Sequence, residues 1–163
     1  MTTLADEFSE VFRCEHRLVR DLLLDLVDAF TSRDGARARA LLEETTAATG
    51  PHFRYEEEAL YPLLTPVFGE PYIEHLHEEH DGAIKRVRAL VQLAERDSPT
   101  DRDATEAVQL VREVLPHVSD CEGLSVMVEV LPEEEVQDVF TARARSQEAG
   151  LGLFEWADTI RGR

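Results

Sequence analysis

The sequence has few of the residues that stabilise small secreted proteins or bind nucleic acids. Its 163 residues include two cysteines, too few for a disulfide framework. The 17 basic residues are outnumbered by 34 acidic residues, which gives a net charge of -17. Such a charge repels both the phosphate backbone of nucleic acids and an anionic membrane surface. We therefore expect no nucleic-acid partner and no membrane association.

Long apolar runs and strand patterns are also scarce. The longest apolar runs, such as Leu22 to Leu24, are far shorter than the roughly 18 residues that a membrane-spanning helix needs. The first residues, Met1 to Glu7, contain neither the basic segment nor the apolar segment of a secretory signal. Together these absences predict a cytoplasmic protein.

Apolar residues instead recur at helical spacing, in four long blocks separated by short clusters of turn residues. The first three blocks run from about residue 3 to 32, 36 to 65 and 72 to 96, and Thr100 with Asp103 predicts the N-terminal cap of the fourth. A kink is expected near Pro51, because proline removes a helical hydrogen bond. Four helices with short connections predict an all-α fold, an up-down-up-down four-helix bundle.

The residues after the fourth block predict a C-terminal extension. Val126, Val128 and Val130 alternate with other residues, a pattern that a short strand also satisfies, although helix is the adopted interpretation. Pro132, followed by three glutamates, is typical of the first turn of an additional helix, which should end near Glu148. The apolar residues beyond it are expected to dock on the bundle. The sequence thus predicts a bundle over residues 1–131 and a packed helical extension over 132–163.

Histidines occur at matching distances from the predicted turns, one on each of the four helices. Counted from turns near residues 34, 68 and 98, His16, His52, His80 and His117 fall in one layer. Glu56 follows His52 by four residues, so these two side chains lie about 40° apart on one helix face. Histidine and carboxylate ligands from four helices suit a di-iron or di-manganese centre better than structural zinc, and iron is the first choice.

Four motifs carry a resemblance to a known family. They are Glu15-His16, His-Phe-Arg-Tyr-Glu-Glu-Glu-Ala-Leu-Tyr-Pro from His52, Glu79-His80, and His-Val-Ser-Asp-Cys-Glu from His117. On these motifs the chain resembles the hemerythrin-like family, also known as the HHE cation-binding domain, over about residues 10 to 131. The resemblance implies a bundle that holds two irons, bridged by an oxo or hydroxo group and by carboxylates.

The resemblance also implies roles for individual residues. The four layered histidines would be terminal ligands and Glu56 a bridging carboxylate. Cys121 stands four residues after His117, where the family pattern has a second bridging carboxylate. At helical spacing, Asp120 or Cys121 could reach a metal and Glu122 could not. Two interpretations stay open: Cys121 is a ligand of an asymmetric or single-iron centre, or it is a small buried thiol beside the site.

Other residues could contribute to the surroundings of the metal. His77, three residues before His80, is a further candidate ligand, although a solvated position or one behind the ligands is the preferred interpretation. Tyr55 and Tyr61 are candidates for a hydroxyl near bound oxygen. Four apolar residues near the histidines are expected to line a dry pocket fit for a diatomic ligand: Phe12, Val19, Leu23 and Ile84.

The expected function is that of a non-haem di-iron protein that binds or reduces oxygen, peroxide or nitric oxide. Two alternatives stay open. The first is a di-iron oxidase or oxygenase that acts on an organic substrate. The second is an iron or redox sensor that responds through Cys121. Whether the protein is an enzyme is left undecided by the sequence.

Overall fold

The computed structural model describes residues 1–162, and helices account for nearly all of them, with no strand in this range. Seven α-helices follow one another along the chain: α1 (Leu4–Thr31), α2 (Gly35–Tyr55), α3 (Tyr61–Phe68), α4 (Glu70–Ala94), α5 (Asp101–Glu122), α6 (Glu133–Ala149) and α7 (Leu153–Arg161). A π-helical turn, Glu56–Leu60, joins α2 to α3, and a 3-10 segment, Gly123–Val130, follows α5. The all-α prediction is confirmed.

Capping residues fix where the first and fourth bundle helices begin. The Thr3 hydroxyl accepts a hydrogen bond from the Asp6 amide, and the Asp6 carboxylate accepts one from the Thr3 amide. Thr100 and Asp103 form the same reciprocal pair at the start of α5. Each pair satisfies two donors that the helix itself leaves unpaired. The cap predicted from Thr100 and Asp103 is therefore correct.

The bundle is formed by α1, α2, α4 and α5, and α1 contacts both α2 and α5. Its apolar interior falls into two clusters. One surrounds Leu26, Leu90 and Val111, and the other surrounds Phe8 and Leu76. No helix in residues 1–162 combines the length and the apolar character that crossing a membrane requires.

The second block departs from α-helical geometry at a different place from the one expected. Instead of breaking at Pro51, α2 continues through it, and the irregular turn lies at Glu56–Leu60, where the Tyr61 amide donates to the Glu56 carbonyl. Pro62 follows this turn directly, and it has no amide proton to donate to the carbonyl of Glu58.

The C-terminal extension packs on the bundle through both α6 and α7, which contact α2. Leu153 and Trp156 of α7 join the cluster around Leu26, and Val136 of α6 joins the cluster around Phe8. The closest approach is at Gly50, where an added Cβ would lie 2.2 Å from the carbonyl oxygen of Leu151. Position 50 therefore has no room for a side chain, and only glycine fits there without a shift of the backbone.

Replacing Gly50 by alanine should push the segment between α6 and α7 off the bundle. We expect Gly50→Ala to lower the free energy of unfolding of the metal-free protein by about 1–3 kcal/mol, the usual cost of overpacking. Gly123→Ala is the matched control, because a Cβ at this residue meets nothing within 4 Å. Urea denaturation measures both variants. Equal stability of the two would show that the close approach at Gly50 is not a constraint.

Candidate metal centre

Each bundle helix places one buried histidine at the same level. His16 comes from α1, His52 from α2, His80 from α4 and His117 from α5, and none exposes more than 7% of its surface. The ring centres of His16 and His52 are 4.6 Å apart, and those of His80 and His117 are 4.7 Å apart. The structure thus brings together the four residues of the predicted layer, which we term the histidine layer.

The carboxylate of Glu56 lies between the two histidine pairs and is fully buried. Its Oε1 atom is 2.9 Å from His52 Nε2 and 3.8 Å from His16 Nε2. Its Oε2 atom is 3.2 Å from His80 Nε2. One carboxylate therefore faces both halves of the histidine layer, as a bridging ligand must.

Cys121 is the residue that α5 brings to Glu56, one turn after His117. It is fully buried, and its Sγ atom is 2.8 Å from Glu56 Oε1. Asp120, the alternative ligand at this turn, is exposed, and Glu122 is half-buried. The geometry therefore favours Cys121 over Asp120 as the donor from this turn.

The donor atoms form two groups that share Glu56. His16, Glu56 and Cys121 offer atoms within 4.8 Å of one another, and Glu56, His80 and His117 do the same. The Nε2 atom of His52 adjoins the first group through Glu56 Oε1. Two neighbouring sets of nitrogen, oxygen and sulfur donors with one shared carboxylate match the arrangement of two-metal centres in helical bundles.

The opposite nitrogen of every layered histidine already has an acceptor. In each ring Nδ1 lies within 2.9 Å of an oxygen, which leaves Nε2 directed to the centre. The pairs are His16 with the Phe12 carbonyl, His52 with Glu15, His80 with Glu57 and His117 with Glu79. Metal-binding histidines in proteins are oriented in this way.

One buried oxygen atom of Glu56 indicates whether a cation fits between the donor atoms. Glu56 Oε2 has no hydrogen-bond partner among the described residues, although His80 Nε2 is close to it. An ionised oxygen buried without a partner is costly. A cation between this oxygen and the Nε2 atoms around it would remove that cost. The donor set therefore fits a metal, and its mixture of imidazole, carboxylate and thiol suits iron.

Electrostatics of the metal-free centre keep Glu56 ionised. Burial opposes its ionisation, but the positive charge of His52 and hydrogen bonding from that ring hold the pKa of Glu56 well below its usual range. In return, Glu56 and Glu15 overcome burial and raise the pKa of His52 to about 10. Burial and the charge of His52 lower the pKa of His16 to about 4. His52 thus acts as the counter-ion of Glu56 when no metal is present.

The pKa of the Cys121 thiol is shifted in the opposite direction to that of Glu56. Burial and the neighbouring charge of Glu56 raise its pKa well above the ordinary value, so it is neutral without a metal. A thiol becomes a strong ligand once it loses its proton to a bound cation. Cys121 therefore adds no repulsive charge to the metal-free bundle.

Tyr61 reaches the centre because of the π-helical turn. It follows Glu56 by five residues, and in a regular α-helix the two side chains would lie about 140° apart. The wider turn brings Tyr61 to the same face, where its hydroxyl is 3.0 Å from His80 Nε2 and 3.5 Å from Cys121 Sγ. A proline alone does not predict this placement, because Pro51 and Pro116 lie inside regular α-helices.

Tyr55 and His77 lie outside the centre. The Tyr55 hydroxyl donates to Glu15 Oε2 over 2.5 Å, behind His52. The His77 side chain is 41% exposed, and its Nδ1 is 3.7 Å from Glu57 Oε2. The structure thus places His77 behind the ligands, as the preferred interpretation of the sequence has it.

Comparison with protein families supports this geometry. The family model described as the hemerythrin HHE cation binding domain matches residues 7–124. The chain belongs to the hemerythrin HHE family. The match contains the whole histidine layer, Glu56 and Cys121, and it ends before α6 and α7. Searches of curated proteins and of solved structures give no significant match to this hemerythrin-like chain.

Each substitution of a single ligand should remove part of the iron from this hemerythrin-like protein. We expect His16→Ala and His80→Ala each to lower the bound iron from about two ions per chain toward one, since each removes a donor from a different group. Glu74→Ala is the control, because Glu74 is an exposed residue of the same helix as His80. Metal analysis after reconstitution provides the measurement. Full iron content in both ligand variants would contradict the assignment.

Coordination by Cys121 should give its own spectrum. A thiolate ligand adds a sulfur-to-iron charge-transfer band at long wavelength, so Cys121→Ser should abolish that band and weaken one iron position. Cys14→Ser is the control, because Cys14 is the exposed cysteine of the chain. A spectrum and an iron content that are the same in wild type and Cys121→Ser would leave Cys121 as a packing residue.

Proposed function

We propose that this protein holds two iron ions at Glu56 and uses them to bind or reduce a small oxidant: oxygen, peroxide or nitric oxide. His16, His52 and Cys121 would serve one ion, and His80 and His117 the other. The observation that carries the proposal is a small, mainly apolar cavity against the histidine layer. Its size and lining support a diatomic or peroxide ligand.

The cavity has a volume of about 30 Å³ and is bounded by His16, His52 and His117. A space of this kind holds about one or two water-sized molecules. The rest of its wall is mainly apolar, formed by Val19, Leu23, Phe53, Ala83, Val87, Val114, Val118 and Leu153, with Thr45 and Thr49. Both threonine hydroxyls donate to carbonyls of their own helix. The wall therefore excludes water and offers few groups to a polar substrate.

The pocket predicted from the sequence is partly found. Val19 and Leu23 line the cavity, as expected. Phe12 instead packs against the ring of His16, with 4.3 Å between the ring centres. Ile84 is buried in the cluster around Leu26 and is not part of the cavity wall.

Bound iron would supply reversible one-electron chemistry to a small oxidant. The chain supplies the surroundings: apolar walls that keep water away, and the hydroxyl of Tyr61, which lies next to His80 and outside the cavity wall. Burial and the charge of Glu56 raise the pKa of Tyr61 well above its ordinary value, so this hydroxyl keeps its proton. Tyr61 is thus placed to donate a hydrogen bond toward the centre.

The same observations bear on the two alternatives. An oxygenase needs room for an organic substrate beside the metals, and the cavity of about 30 Å³ is too small for one. A larger cleft of about 590 Å³ reaches His52, but it is lined by Glu15 and Tyr55, which lie on the Nδ1 side of that ring. A redox sensor that responds through oxidation of Cys121 needs a thiol that an oxidant can reach, whereas Cys121 is fully buried. Oxidant binding or reduction is the function that the geometry favours.

A substitution that fills the cavity tests the proposal. Reduced, iron-loaded protein should shift its near-ultraviolet bands on mixing with oxygen, peroxide or nitric oxide. Ala83→Val, in the cavity wall, should slow this response about tenfold, equivalent to about 1.4 kcal/mol of added barrier. The matched control is Ala94→Val, which overpacks the same helix and the same apolar cluster away from the cavity.

Three outcomes separate the possibilities. A slower response in Ala83→Val alone supports entry of the oxidant into the cavity. Equal slowing in both variants would point to a general effect of overpacking. An iron-loaded wild type that responds to none of the three oxidants would refute the proposed function.

A further inference from the structure

Two arginines of the C-terminal extension reach back to the metal centre. We propose that Arg143 of α6 and Arg161 of α7 are positioning residues, each of which fixes the carboxylate that holds one ligand histidine. The carboxylates are Glu15, behind His52, and Glu57, behind His80. The inference rests on the proposed function, because it assumes that these histidines bind iron. It assigns a role to α6 and α7, which lie beyond the family match.

The first contact chain runs from α6 to α2 through α1. Arg143 Nε donates to Glu15 Oε1 over 2.6 Å, and Glu15 Oε2 lies 2.7 Å from His52 Nδ1. The Tyr55 hydroxyl donates to the same Oε2 atom. Both oxygens of Glu15 are therefore engaged, and the carboxylate cannot turn without breaking the bond to Arg143 or the bonds to His52 and Tyr55.

The second chain runs from α7 to α4 through the π-helical turn. Arg161 Nη2 donates to Glu57 Oε1 over 2.6 Å, and the same oxygen lies 2.7 Å from His80 Nδ1. The guanidinium also pairs with Asp81 and lies over the ring of Trp156, 5.1 Å from its centre. Arg161 is thus held in place independently of Glu57, which suits a group that orients a neighbour.

The two arginines serve the two halves of the centre. His52 adjoins Glu56 Oε1, and His80 adjoins Glu56 Oε2. The remaining carboxylate, Glu79 behind His117, contacts no arginine among residues 1–162. The extension therefore contributes one guanidinium to each cation position.

The physical effect follows from how carboxylates act on ligand histidines. A carboxylate that accepts the Nδ1 proton orients the ring and makes Nε2 a stronger donor. A guanidinium on that carboxylate fixes its position and offsets its negative charge. Loss of the arginine should loosen the ring, which weakens metal retention. It should also remove positive charge near the iron, which favours the more oxidised state and lowers the reduction potential.

A rival explanation is that these arginines only anchor the extension. Arg88 provides the matched comparison, because it donates to Asp158 of α7 over 2.6 Å and lies 4.4 Å from the ring centre of Phe154. It anchors α7 much as Arg161 does, yet it contacts neither Glu57 nor a layered histidine. Arg145, an exposed residue of α6, is the corresponding control for Arg143.

The experiment uses the full chain loaded with iron. Arg143→Gln and Arg161→Gln are compared with Arg88→Gln and Arg145→Gln for the rate of iron transfer to a chelator and for the midpoint potential. We expect each of the first two variants to release one of its two irons about three to ten times faster than wild type, below the range found for direct partners of ligands. Their potentials should fall, and both controls should match wild type in both measurements.

Conservative variants separate charge from anchoring. Arg143→Lys and Arg161→Lys should recover most of the potential, because they retain the positive charge, while circular dichroism of the metal-free proteins confirms that every variant folds. If Arg88→Gln releases iron as fast as Arg161→Gln, the arginines are anchors and the proposal is wrong. Unchanged release and potential in the Gln variants of an iron-loaded protein refute this proposal alone. A wild type that binds no iron refutes the proposed function as well.

Discussion

A single buried carboxylate determines how the rest of this molecule is arranged. Glu56 is fully enclosed, and an ionised group in such a place needs positive partners. In the metal-free protein the charge of His52 meets this need, and each of four helices directs one Nε2 atom toward the centre. Each ring can do so because its Nδ1 proton has an acceptor on the other side. Three of those acceptors are carboxylates, and these in turn require orientation.

Cys121 makes the two halves of the centre unequal. A carboxylate at this turn would add a second negative charge beside Glu56, whereas the thiol stays neutral until a cation displaces its proton. The half with His16 and Cys121 thus offers a sulfur donor, and the half with His80 and His117 offers nitrogen and oxygen donors. Two irons bound as proposed would have different surroundings and should differ in potential, because ligand type sets the electron density at each metal.

The histidine layer could be predicted from the sequence because helices are regular. Errors of a few residues in the turns leave His16, His52, His80 and His117 in one layer, since a helix rises only about 1.5 Å per residue. The position of Tyr61 could not be obtained this way, because the π-helical turn changes the angular relation to Glu56. An irregularity was expected at Pro51 instead, and Pro51 lies inside a continuous α-helix.

Contacts between residues far apart in the sequence cannot be predicted from helical periodicity. Arg143 is separated from Glu15 by 128 residues and Arg161 from Glu57 by 104 residues, so only the docking of α6 and α7 brings them together. The cavity depends on the same docking. Leu153 of α7 forms part of its wall, and the close approach at Gly50 holds the preceding segment against α2. Helix α7 therefore helps to close the cavity and orients Glu57 at the same time. Exclusion of water and placement of His80 are consequently coupled, because both depend on the same short helix.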